Sequence, residues 1–202
     1  MALKKFDKIK SYEREVFPHV KKIYDICREY DLPALMAFAV KSDGKGRTGC
    51  TTTGCFRENK TPLEFFVIWP LLMGEYDKFL EVTVGRGILG VKNDTEFNGT
   101  TIYKDEIEKV EKVIMQKCIQ HKIPFLISFN LQKLNCESTI LTNCQNLNCE
   151  STILTNCHFF DERTSVNFFI AQLILRGFYD EAWKMFGDTD IGRKMLRGRE
   201  GE

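Results

Sequence analysis

The feature that most constrains this chain is that much of it occurs twice. Cys27–Val40 (CREYDLPALMAFAV) lines up without a gap on Cys118–Leu131 (CIQHKIPFLISFNL), with Cys, Pro, Leu and Phe identical. Phe65–Asp77 (FFVIWPLLMGEYD) matches Phe168–Asp180 (FFIAQLILRGFYD) at six of thirteen positions. Val84–Leu89 (VGRGIL) then lines up with Ile191–Leu196 (IGRKML). Three blocks in the same order imply one structural unit used twice, by duplication and fusion.

Each copy opens with an amphipathic helix. Phe17, Val20, Tyr24 and Cys27 share one face in the first, and Ile107, Val110, Ile114 and Cys118 in the second. A proline follows each, Pro33 and Pro124, where it is expected to end the helix and start an extended segment. The runs Ala34–Val40 and Phe125–Leu131 are apolar without alternation, the pattern of strands covered on both faces. Ser42–Gly46 is a turn that returns the chain into Thr51–Phe56. A second helix comes next, expected to start at the Thr61-Pro62-Leu63-Glu64 capping box, and at Thr164 or Ser165 in the other copy.

The expected fold is therefore α+β: two diverged α-β-β-α units with pseudo-two-fold symmetry and a mainly antiparallel sheet packed on helices. Residues 1–91 form the first unit, 92–102 a turn-rich linker, and 103–202 the second unit with a basic C-terminal tail. The halves are expected to pack as one compact body.

A younger repeat lies inside the second unit. Gln132–Cys144 (QKLNCESTILTNC) and Gln145–Cys157 (QNLNCESTILTNC) differ only at Lys133 and Asn146. STILT alternates like a strand, so two identical segments compete for one place in the sheet. The second copy is the better candidate, because it joins directly to the next helix.

Composition removes several classes of function. The 29 basic and 28 acidic residues give a formal charge of +1, so no strong field draws the molecule to nucleic acid or anionic membrane. The longest apolar run, Phe65–Met73, is too short to span a bilayer. The first residues carry no apolar stretch behind their lysines, so no signal peptide is read there and the expected location is cytoplasmic. Eight cysteines are then expected as reduced thiols.

Gly85-Arg86-Gly87-Ile88-Leu89-Gly90 spells a dinucleotide fingerprint, but that chemistry needs a strand before it and a helix after it. The next stretch, Val91–Gly99 (VKNDTEFNG), is turn-forming, so no cofactor is assigned. The cysteines offer no C-x-x-C pair. If the tandem copies formed a hairpin, Cys136 would face Cys157 and Cys144 would face Cys149, in pairs about 25 Å apart. No metal site is assigned. A cysteine nucleophile needs a histidine in reach, and His19, His121 and His158 show no such pairing in the sequence. No catalytic residue is assigned.

The polar residues retained in both copies are the remaining site candidates: Tyr76 with Tyr179, Asp77 with Asp180, and Arg86 with Arg193. Lys194 and Arg197 add positive charge beside Arg193. The functional expectation is a non-catalytic accessory protein that binds another protein. Nucleic-acid binding through an Arg86 turn and the basic tail is the first alternative, and a thiol- or zinc-dependent enzyme the second.

Overall fold

Val16, Val20, Ile23 and Cys27 recur every three or four residues, which gives a helix one apolar side to bury. The computed structural model describes residues 4–44, 48–57, 61–86, 99–131, 151–155 and 165–199, and there all four side chains are fully enclosed. The elements of the first part are β1 (Phe6–Asp7), α1 (Ile9–Ser11), a π-helical turn (Tyr12–Val16) and α2 (Phe17–Glu29). Next come β2 (Ala34–Ser42), β3 (Thr48–Cys55), α3 (Leu63–Met73) and α4 (Tyr76–Arg86). The remainder is α5 (Thr100–Ile102), a π-helical turn (Tyr103–Ile107), α6 (Glu108–His121), β4 (Phe125–Asn130) and β5 (Ser151–Thr155). The chain then runs through α7 (Val166–Leu175), α8 (Tyr179–Gly187) and α9 (Asp190–Arg199). This is an α+β fold.

The sheet is antiparallel, in the order β3-β2-β4-β5, and the short β1 pairs with the far end of β2. Side chains alternate between its faces. Ala34, Met36, Phe38 and Val40 enter one core with α2, α6 and both π turns. Leu35, Ala37 and Ala39 enter another with α3, α4, α7 and α8. Being covered twice is why β2 reads as an unbroken apolar run. Enclosing each of Phe38, Phe65, Phe79, Phe125 and Phe129 contributes roughly 2–3 kcal/mol.

The order of elements recurs at fixed spacing. From α1 to the start of β2, each element has a counterpart 91 residues on, the π-helical turns included. At the centre of the sheet Met36 lies opposite Ile127, its own counterpart at that spacing. Helices α3 and α4 have counterparts in α7 and α8, now 103 residues on. Gly74 and Gly177, both left-handed at φ +75° and +76°, close the first helix of each pair.

Several sequence expectations need correction. Phe17 is 44% exposed, and Ile23 takes its place on the buried face of α2. Helices α2 and α6 are ended by left-handed residues, Asp31 (φ 53°) and Lys122 (φ 56°), ahead of the prolines. Each lets the next amide reach back, Leu32 to the Cys27 carbonyl at 2.9 Å and Ile123 to that of Cys118 at 2.8 Å. Pro62 caps α3 from outside and is not its first residue. The Thr61 hydroxyl turns away to Arg57, accepting from its amide at 2.6 Å and donating to its carbonyl at 2.9 Å. Ser165 stands at the start of α7, but its side chain makes no capping bond.

Thr100–Ile102, placed in the linker by sequence, is already helical. The residues expected to form a basic C-terminal tail are helix α9 as far as Arg199. The strand beside β4 comes from the second tandem copy, Ser151–Thr155, while the first copy lies outside the described residues.

Candidate functional site

Arg86 is the last described residue of α4, a helix continuous from Tyr76, and Arg193 lies inside the separate helix α9. Neither arginine stands in a turn. Arg193 is engaged by its own helix start, with Nη2 2.5 Å from Asp190 Oδ1 and Nη1 donating to the Asp188 carbonyl at 2.8 Å. Lys194 is exposed on the same helix, and Arg197 lies one turn further along it. The dinucleotide fingerprint begins in α4, so a helix and no strand precedes it, and residues 87–90 lie outside the described residues.

Asp77 and Asp180 are exposed in the first turns of α4 and α8, where a carboxylate complements the positive helix end. The two tyrosines are half-buried and bridge helices. Tyr179 Oη donates to Glu64 Oε1 at 2.6 Å, and Asn167 Nδ2 donates to Tyr76 Oη at 3.0 Å. Burial, helped by the Glu64 carboxylate, pushes the Tyr179 phenol well above its usual range. These hydroxyls fasten α3 to α8 and α7 to α4. The structure gives Tyr76, Tyr179 and Arg193 separate partners.

It does assemble a polar constellation that the sequence candidates do not include. The π turn Tyr103–Ile107 directs the Tyr103 hydroxyl onto Glu111 Oε2, inside the core between α6 and the sheet. Glu111 is 1% exposed, and its other oxygen, Oε1, has no hydrogen-bond partner among the described residues. Burial pushes its carboxyl up to about 7, with the Tyr103 bond acting in the opposite direction. Tyr12 occupies the corresponding place 91 residues earlier, with Val20 where the acid would be. Its hydroxyl is enclosed and unpartnered among the described residues, and burial raises its phenol far above the ordinary value. Tyr12 stacks at a tilt on Phe38 as Tyr103 does on Phe129. A lone acid on the apolar face of α6 and a tyrosine recurring at 91 residues were the signals available in the sequence.

Nearby, Glu15 of the first π turn gathers cations. Arg14 Nη2 lies 2.6 Å from it, His121 Nε2 2.8 Å and Lys117 Nζ 3.3 Å. The Arg14 bond, then that from His121, lowers its carboxyl to about 2. This contribution to stability is present above the ordinary carboxylate pKa and is lost as pH falls towards about 2.

Cys27, Cys55 and Cys118 are buried and Cys50 is half-buried. Burial raises the Cys27 and Cys55 thiols and takes Cys50 to about 11, opposite to what a nucleophile needs. Cys136, Cys144, Cys149 and Cys157 lie outside the described residues. Among the described residues no group of three metal-ligating side chains converges, and no helix is long and apolar enough to cross a membrane.

On the other side of the sheet, an aromatic cluster reaches the surface. Phe56, the residue after β3, lies 5.2 Å from Phe66 and 5.3 Å from Trp69, ring centre to ring centre. Phe66 is 45% exposed and Trp69 is half-buried. Gly54 gives them room, because a Cβ there would lie 2.8 Å from the indole. No protein-family model, curated protein or solved structure matches this chain.

Proposed function

We propose that this chain is a non-catalytic accessory protein that binds another protein through the Phe56–Phe66–Trp69 cluster. The observation that carries the reading is the exposure of Phe66 on a helix that is apolar almost all round. Leu63–Met73 holds one charged residue, Glu64, and such a helix belongs in an interior. Touching aromatic rings at a surface are the chemistry enriched at protein interfaces. The outer edge of β3 runs beside them, eight residues without a charge or a proline, and β2 is its strand partner.

The two-copy reading supports this proposal. Elements that recur at 91 and 103 residues, and a sheet register centred on Met36 and Ile127, fit two diverged α-β-β-α units about a pseudo-two-fold axis. The cluster has no full equivalent in the other unit, where Gln172 stands in the place of Trp69.

Photo-crosslinking from position 66 in the source cell tests the reading. A discrete protein adduct is expected with the wild-type surface, with Phe66→Glu as the variant that loses co-purification of the adduct's protein. Ile119→Glu, at a residue 58% exposed on α6, is the control that keeps it. Equal loss in both variants, or no adduct from position 66, would count against an interface here.

A further inference from the structure

β3 ends the sheet at one side, and β2 is its strand partner among the described residues. In an antiparallel ladder, successive residues turn their amide and carbonyl to opposite sides of the strand. Alternate residues of Thr48–Cys55 therefore direct both groups away from β2. Edges of this kind are commonly blunted by charge or proline, and β3 carries neither.

The aromatic cluster stands over this edge. Gly54 of β3 lies against the Trp69 ring, since a Cβ there would come within 2.8 Å of it. Phe66, Trp69 and Met73 follow one another at three and four residues, so they share one side of α3. Phe66 and Met73 are 45% and 47% exposed. Another side of α3 is taken by α7, whose Asn167 donates to the Leu71 carbonyl.

Charge narrows what can cover such a surface. A two-fold contact between copies sets a patch against itself, so a charge on its axis would meet its own sign. Residues 48–56 carry none, and Glu64, the one charge of α3, accepts from Tyr179. Towards the two ends of the edge, Lys41 lies 3.7 Å from Asp7 and Arg57 2.7 Å from Asp31. These charges are paired within the chain.

Spacing fits the same occupant. α3 and α7 pack side by side on the face that holds Leu35, Ala37 and Leu126, two helices for four strands. Packed helices lie about 8–10 Å apart, and two strands span about 10 Å. A second β3, antiparallel to the first, would set its own α3 at that distance on the same face. The chain already joins like to like in this way, with β2 antiparallel to β4 and Met36 opposite its counterpart Ile127. Pairing across β3 continues that sheet.

We propose that β3 pairs with β3 of a second copy of this chain, antiparallel about a two-fold axis. The two Phe56–Phe66–Trp69 clusters meet above the joint. This assignment rests on the reading of that cluster as a protein-binding surface, and the protein bound is the second copy.

Sedimentation equilibrium of the purified chain tests it, with an expected mass of twice 23.5 kDa. Phe66→Glu on the helix and Thr52→Lys on the half-buried strand are each expected to weaken the dimer about tenfold or more. Ile119→Glu is expected to leave it unchanged. A single 23.5 kDa species over about a hundredfold range of concentration overturns the proposal, and that result needs no variant. A dimer that withstands either substitution as well as it withstands Ile119→Glu does the same. The binding surface itself is judged by the mass of the adduct from position 66. An adduct of two chains supports both readings. An adduct with a different protein, from a monomeric chain, upholds the surface and removes the second copy as its occupant.

Discussion

The hydroxyl of Tyr179 donates to Glu64 across 115 residues of chain, tying α8 to α3. Its counterpart 103 residues earlier, Tyr76, accepts from Asn167, the counterpart of Glu64. Each tyrosine thus bonds to the helix that begins the opposite pair. Both tyrosine hydroxyls thus fasten helices. Asn167 adds a second bond, donating to the Leu71 carbonyl at 2.9 Å.

Removing either hydroxyl should loosen the helical layer without unfolding it. Tyr179→Phe and Tyr76→Phe are each expected to lower stability by about 1 kcal/mol, as lost partly buried hydrogen bonds do. Urea unfolding of the two variants and the double mutant checks this. A neutral result for both would mean the layer is held by apolar packing alone.

Glu111 should make stability fall with rising pH. Its folded pKa of about 7 lies above the reference 4.5, so the folded chain keeps a proton that the unfolded chain has released. The slope runs from about 4.5 up through 7 and amounts to on the order of 3 kcal/mol in all. Glu111→Gln should flatten it. If denaturation midpoints at pH 5 and pH 8 differ as much in the variant as in the parent, another group is responsible.

Lys122 is exposed and left-handed, a conformation that glycine adopts without strain. Lys122→Gly is expected to stabilise by roughly 1 kcal/mol, offset in part by the freer unfolded chain. Thermal unfolding decides the sign. Asp31→Gly should gain less, since Asp31 also receives the Arg57 Nε–H at 2.7 Å.

Gly192 lets α9 pack against the end of α8. A Cβ there would stand 2.0 Å from the Phe186 carbonyl oxygen, and backbone cannot yield that far. The Thr189 hydroxyl meanwhile accepts from the Gly192 amide at 2.8 Å and caps the helix. Gly192→Ala should detach α9, seen as faster amide exchange over Asp190–Arg199 with the sheet unchanged. Unaltered exchange in α9 would show that this contact is dispensable.

Much of the fold was legible because its signals are periodic. The buried stripe of α6 and the unbroken apolar runs of β2 and β4 each come from spacing alone. The helix ends were not legible, since Asp31 and Lys122 adopt a left-handed conformation, in which the next amide reaches back into the helix, that neither residue type announces as glycine would. The Thr61 capping box failed because Arg57 offered that hydroxyl both a donor and an acceptor. The site was harder still. Repetition identified Tyr76 and Tyr179, but sequence could not tell a fastening from a binding residue. Glu111 stood out only by its place on the apolar face of α6, and its burial against Tyr103 needed the fold. The aromatic cluster joins a residue just past β3 to two on α3, so only folding reveals it.

The pairing of β2 with β4 has one more consequence. The two central strands belong to different halves of the chain, so neither half owns the finished sheet. A polypeptide cut between Arg86 and Gly99 would leave two fragments, each baring a long apolar strand whose natural neighbour is the other. Mixed, they should recover ordered structure that neither has alone, and the circular dichroism of the mixture should exceed the sum of its parts.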